Sequence, residues 1–98
     1  MAQTPERAVK KTVVKLLTRY GAYNFYPVAS GFGRSGIPDI VACYKGRFIA
    51  IECKAGKNTT TELQLRELMK IRESGGHALV INESNIEDLA ILLESIHD

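Results

Sequence analysis

The chain has 98 residues, 45 % of them apolar and 24 % charged, with a formal net charge of +2 at neutral pH. That length and composition read as one domain over residues 1–98 with a single modest core, and they exclude a disordered, collagenous or membrane-spanning class. The charge is unevenly spread: residues 1–57 hold ten Lys and Arg against three acids (Glu6, Asp39 and Glu52), a formal excess of +7, whereas residues 58–98 hold three bases and eight acids, a formal −5.

A local basic field of this kind suits a polyanion such as nucleic acid, although a merely solvated basic surface would have the same composition. The N-terminus lacks the apolar stretch of a signal peptide, which points to the cytoplasm. Cys43 and Cys53 lie inside apolar runs without metal or disulfide spacing, so both are expected as buried free thiols.

In chain order, the first helix is expected over Pro5–Arg19, with Thr4 as N-cap and Pro5 at the first helical position. Val9, Val13, Leu16 and Tyr20 form its inward stripe, on which Glu6 also falls. Arg7, Lys11, Lys15 and Arg19 recur every four residues as a separate basic stripe, and Gly21 ends the helix. A first strand spans Tyr23–Val28, and Pro27 confines it to an edge or its own end. Ser30–Gly36 is a glycine-rich loop carrying Arg34 and Ser35, where backbone amides can approach phosphate closely.

Two strands follow, Ile37–Tyr44 and Arg47–Lys54, around Lys45-Gly46. A polar connection leads to a helix over Glu62–Ser74, closed by Gly75-Gly76. A fourth, strongly apolar strand covers His77–Asn82, and a last helix opens at Ser84, with Glu87 completing a capping box, and runs to about His97. The order αβββαβα, with apolar residues on both faces of the two central strands, predicts an α/β fold: a four-stranded mixed sheet flanked by helices on both sides. The helix between the third and fourth strands would be a parallel crossover.

Register turns three residues into a site. If Lys45-Gly46 is a two-residue hairpin loop, Tyr44 pairs with Arg47 and Asp39 falls opposite Glu52. Their β-carbons would be ~4.5–5.5 Å apart on one face, with Lys54 two residues further along the same face. Two carboxylates so close repel, and one takes up a proton unless a cation bridges them. A hard ion such as Mg²⁺ resolves the conflict and keeps waters, one of which becomes acidic enough to attack phosphorus. Lys54 could orient that water or stabilise charge on the phosphate. Lys is a poor first residue for a type I′ loop, and a bulge there would break the register.

A plainer reading has Asp39 capping the strand and forming an ordinary salt bridge with Lys54. Against it stand the cost of unpaired charge in apolar strands and the inward placement of Glu6. Gln64 has two compatible roles, as capping-box partner of Thr61 and as a hydrogen-bonding group toward the attacking water or a phosphate. Candidate DNA contacts are Arg34, Ser35, Arg7, Lys11, Lys15 and Lys57.

At Gly36-Ile37-Pro38-Asp39, Ile51-Glu52-Cys53-Lys54 and Gln64 the chain resembles the VRR-NUC domain nucleases of the PD-(D/E)xK superfamily, over most of its length. The resemblance implies a restriction-endonuclease-like αβββαβ core with an extra C-terminal helix. It implies that Asp39, Glu52 and the backbone carbonyl of Cys53 hold Mg²⁺ or Mn²⁺. Lys54 would serve the nucleophilic water, Glu6 would complete the acidic cluster directly or through water, and Gln64 matches the glutamine on the helix after the catalytic strand. Small stand-alone members look like phage or bacterial proteins built like Holliday junction resolvases, which work as homodimers. The expectation is a divalent-metal-dependent endonuclease for branched DNA, four-way junctions foremost. The alternatives are a non-catalytic DNA-binding module on the same fold and a monomeric exonuclease or nickase.

Overall fold

The computed structural model of the protein describes residues 4–28 and 34–97. The first part of the expected glycine-rich loop, residues 30–33, lies outside the described residues. The elements are α1 (Pro5–Arg19), β1 (Tyr23–Phe25), β2 (Ile40–Tyr44), β3 (Arg47–Cys53), α2 (Glu62–Glu73), β4 (His77–Ile81) and α3 (Ile86–Ser95). They form a mixed sheet of order β1-β2-β3-β4 in which only β3 and β4 are parallel. The expected α/β class and element order are present. None of the described helices is long and apolar enough to cross a membrane.

The hairpin between β2 and β3 fixes the register. Lys45 and Gly46 both have positive φ, +49° and +80°, as a type I′ loop requires. Tyr44 pairs with Arg47, and the ladder runs back to Ile40 opposite Ile51. Lys45 tolerates the left-handed conformation, and its ammonium lies 5.2 Å from the Tyr44 ring centroid.

One face of the sheet carries the main core. Ile40, Ala42, Ile49, Ile51, Cys53 and Ile81 meet Val9, Val13 and Leu17 of α1 and Leu89 and Leu93 of α3. The inward stripe of α1 is thus Val9-Val13-Leu17; Leu16 and Tyr20, expected in the core, pack only partly buried at its margin. The opposite face is covered by α2 over β3 and β4, where Ala50, Ala78 and Leu68 are buried. Over β1 and β2 no described helix covers that face, so among the described residues the expected cover on both sides holds for only half the sheet. Cys43 is exposed there, contrary to expectation, while Cys53 on the core face is buried. Burial pushes the Cys53 thiol up to about 12.

β3, α2, β4 and α3 each end one or two residues earlier than expected, and three other boundaries differ for a local reason. β1 ends at Phe25, two residues before Pro27, which cannot donate to a ladder. β2 begins at Ile40 rather than Ile37, because the carboxylate of Asp39 accepts from Cys53 N (2.8 Å) in place of a backbone carbonyl. The last helix begins at Ile86, and Ser84 does not cap it. Asn82 and Asn85 interlock instead: Asn82 N donates to Asn85 Oδ1 and Ser84 N to Asn82 Oδ1, both at 2.7 Å.

Candidate active site

Where β2 stops pairing, β3 continues for two more residues beside β4, to Cys53 opposite Ile81. Asp39 stands at the start of β2 and Glu52 near the end of β3, the positions that the hairpin register brings together. Asp39 is anchored through Oδ2 to the Cys53 amide, and its Oδ1 faces Lys10 Nζ at 3.5 Å. Glu52, only 2 % exposed, is held through Oε2 by Gln64 Nε2 (2.7 Å) and by Lys54 Nζ (3.4 Å). Its Oε1 is buried with no hydrogen-bond partner. Burial, then the neighbouring charge of Asp39, push the Glu52 carboxyl up to about 7, against a smaller opposing pull from Lys54.

The salt bridge expected in the plainer reading, Asp39 to Lys54, is replaced by two others: Asp39 with Lys10 and Glu52 with Lys54. The orphaned Oε1 of Glu52 and the raised carboxyl fit a hard cation between the two acids, since such an ion would supply the missing partner and lower the electrostatic cost. Asp39 and Glu52 could hold it. Among the described residues no group of three His, Cys, Asp or Glu side chains is placed to hold a metal ion, and Glu6 lines the cleft beside Asp39.

Gln64 fills the capping-box role at the start of α2, and its side-chain amide nitrogen donates to Glu52. Gln64 N donates to Thr61 Oγ1 (3.2 Å) and Gln64 Oε1 accepts from Thr61 N (2.9 Å), completing the capping box. The remaining amide nitrogen is then aimed at Glu52. Gly36, at φ +81°, lets the preceding turn approach this helix: a β-carbon there would lie 2.7 Å from the Leu63 carbonyl carbon.

A cleft of about 760 Å³ opens beside Asp39, with Glu52 and Lys54 outside its lining. Glu6, Arg7 and Lys11 line it from α1, Arg34 and Ser35 from the loop, and Asp39 and Gln64 at its wall. Lys15 and Lys57 are exposed but do not line it. Arg34 has a second engagement that the sequence did not announce: its Nε donates to both carboxylate oxygens of Glu67, at 3.1 and 3.0 Å, which ties the loop to α2. Sequence reasoning also missed Lys10. It stands one turn after Glu6 on the same helix, so the phase that turned Glu6 inward was a usable signal. For Glu67 the pattern held none, because an acid on a mostly polar helix reads as a solvated charge.

The whole arrangement is that of a nuclease fold. A solved VRR_NUC domain has the same architecture, with a TM-score of 0.74 and 24 % identity over 97 % of this chain and all of that one. The Holliday junction resolvase Hjc of Archaeoglobus fulgidus aligns with a TM-score of 0.58 and 23 % identity, over 74 % of this chain and 64 % of that one. In sequence, the family model of the archaeal Holliday junction resolvase (Hjc) matches residues 4–92, and the chain belongs to that family of nucleases. A curated phage protein, "Putative nuclease p44" of Acyrthosiphon pisum secondary endosymbiont phage 1, is 30 % identical over 93 residues, 94 % of this chain and 95 % of that protein.

Proposed function

We propose that the protein is a divalent-metal-dependent deoxyribonuclease that cuts branched DNA, four-way junctions foremost, as a homodimer. The observation that carries the metal dependence is the Asp39–Glu52 pair, in which a buried carboxylate oxygen of Glu52 has no partner. Mg²⁺ or Mn²⁺ would be held by Asp39 and Glu52, with the Cys53 carbonyl as a further oxygen and Glu6 acting through water. When bound, such an ion supplies Lewis acidity toward a phosphoryl oxygen and makes a nearby water easier to deprotonate.

The chain's own residues do the rest. Gln64 and Lys54 hold Glu52 in place, and Lys54 brings a positive charge to the side where charge develops on phosphorus. Arg7, Lys11, Arg34 and Ser35 line the cleft and bind the phosphates flanking the cut. Lys15 extends the track along α1. Preference for branched DNA is supported by membership of the resolvase family. A homodimer is supported by the open half of the sheet, where Tyr23, Phe25 and Phe48 are 71 %, 47 % and 46 % exposed. Two-fold symmetry would set two such sites on opposed strands of a junction.

The test is cleavage of linear duplex, flap, fork and four-way junction with Mg²⁺, Mn²⁺ and EDTA. Cutting should need metal, favour the junction, and vanish in Asp39→Ala and Lys54→Ala while DNA binding and fold persist. Undiminished cutting by both variants would show that the site is elsewhere.

A further inference from the structure

We propose that Lys10 is the resident counter-cation of Asp39, exchanged for a divalent metal when the site is loaded and thereby handed to the DNA backbone. The inference rests on the metal reading of Asp39 and Glu52 and adds to it a switch between two partners for one lysine.

Each acid has one oxygen committed to the scaffold. For Asp39 it is Oδ2, bonded to Cys53 N, and for Glu52 it is Oε2, bonded to Gln64. The remaining pair, Oδ1 and Oε1, is what a cation would take, and of these Oδ1 already faces the Lys10 ammonium at 3.5 Å. A dication arriving at Oδ1 would stand within a few ångströms of that ammonium and repel it. One of them must leave.

The two lysines of the site differ in how freely they can do so. The Lys54 side chain is 11 % exposed, and it pairs with a Glu52 that is itself buried. Lys10 is 30 % exposed, its partner Asp39 is 20 % exposed, and it lines the open cleft. A pair of that exposure is worth little, and the flexible lysine stem lets the head group swing without disturbing the helix. Arg7 and Lys11 of the same helix line the cleft beside it, so the released ammonium enters the field that holds phosphate. Metal then strengthens DNA binding through Lys10, and by reciprocity DNA strengthens metal binding.

The test measures metal and DNA binding separately from cleavage. Mn²⁺ binding is followed by electron paramagnetic resonance without DNA for the wild type, Lys10→Met, Lys10→Gln and Asp39→Asn. Both Lys10 variants should bind Mn²⁺ about threefold to fivefold more tightly, the effect of removing one partly exposed competing charge. Affinity for a labelled four-way junction is then measured by anisotropy in EDTA and in Ca²⁺, with the DNA checked as intact. The Lys10 variants should match the wild type in EDTA, bind several-fold more weakly in Ca²⁺, and there lose about one unit of salt slope. Unchanged or weaker Mn²⁺ binding in the Lys10 variants overturns the exchange, as does a DNA defect of equal size with and without metal. If Asp39→Asn binds Mn²⁺ like the wild type, the metal reading itself fails; if it alone loses Mn²⁺ and the Lys10 variants are neutral, only the exchange fails.

Discussion

Gln64 donates its side-chain amide to Glu52 Oε2 at 2.7 Å while its own carbonyl oxygen accepts from Thr61 N at 2.9 Å. One residue therefore closes the first turn of α2 and fixes a carboxylate on β3. The capping box selects the rotamer, and the rotamer leaves only the NH₂ free to point at the acid.

Gln64→Glu separates these duties, because Glu also serves at this position of a capping box but cannot donate to Glu52. The metal-free protein should lose stability as pH rises, because two carboxylates then face each other, and cleavage should fall roughly 10- to 100-fold, the usual loss when a group orienting a metal ligand is removed. Initial rates on a four-way junction, beside urea melts at low and high pH, give both quantities. Wild-type rates in Gln64→Glu would mean that the helix cap is the residue's sole contribution.

Gly36→Ala should cost stability because two penalties coincide there: a φ of +81° and a backbone carbonyl carbon 2.7 Å from the new methyl group. Neither α2 nor the Pro38-Asp39 segment can yield without moving the site. A loss of about 2 kcal/mol or more is expected, read as a lower denaturation midpoint. Gly46→Ala also meets a positive φ but open space, so it should cost less. Equal losses at the two positions would show that close approach at Gly36 is not a constraint.

The site titrates in a definite direction. The Glu52 carboxyl rises from 4.5 to about 7 in the folded protein, chiefly through burial and the charge of Asp39. Below the lower value both folded and unfolded chains carry the proton, and the group is neutral in its effect. As pH climbs from 4.5 through about 7, the unfolded chain releases its proton first, so the metal-free fold loses stability across that window. A divalent ion needs the deprotonated acid and offsets its charge. The rise in melting temperature on adding Mn²⁺ should therefore be larger at pH 8 than at pH 5.5, and the difference should shrink in Glu52→Gln. A metal-induced rise independent of pH would contradict this.

The sequence disclosed much of this site because its information was periodic. The hairpin register follows from Gly46 and the alternation of Ile40, Ala42, Ile49 and Ile51, and it alone brings Asp39 to Glu52. What it left hidden depends on reach between elements distant in the chain. Lys10 to Asp39 spans α1 and β2, and Arg34 to Glu67 joins a loop to a helix 33 positions later. Neither pairing can be read from local spacing, although the phase of Glu6 does mark Lys10 as lying on the inward side of its helix. Ser84 misled for another reason: the Asn82 and Ser84 amides donate to the Asn85 and Asn82 side chains, which holds this segment in a turn and moves the helix start to Ile86. The exposure of Cys43 reflects how far α2 reaches across the sheet, which a strand pattern does not encode.

The open face also makes a prediction about assembly. Pairing across three strands aligns Tyr23 with Cys43 and Cys43 with Phe48, and the next row aligns Phe25 with Val41 and Val41 with Ala50. At the stated exposures the three rings offer roughly 300 Å² of apolar surface, given ~150–250 Å² per aromatic side chain. A standard interface buries ~800 Å² per partner, so these rings would form its centre rather than its whole. Tyr23→Glu with Phe48→Glu places two charges in that centre and should give a monomer by light scattering, against the dimer expected of the wild type. Neither residue lines the cleft or touches an acid of the site, so Mn²⁺ binding should persist. Paired cuts on opposed strands of a junction should give way to single, uncoordinated nicks, because the second site is no longer held across the two-fold axis. A double variant that stays dimeric would place the contact elsewhere, and a monomeric wild type that still made paired cuts would remove the dimer from the proposed function.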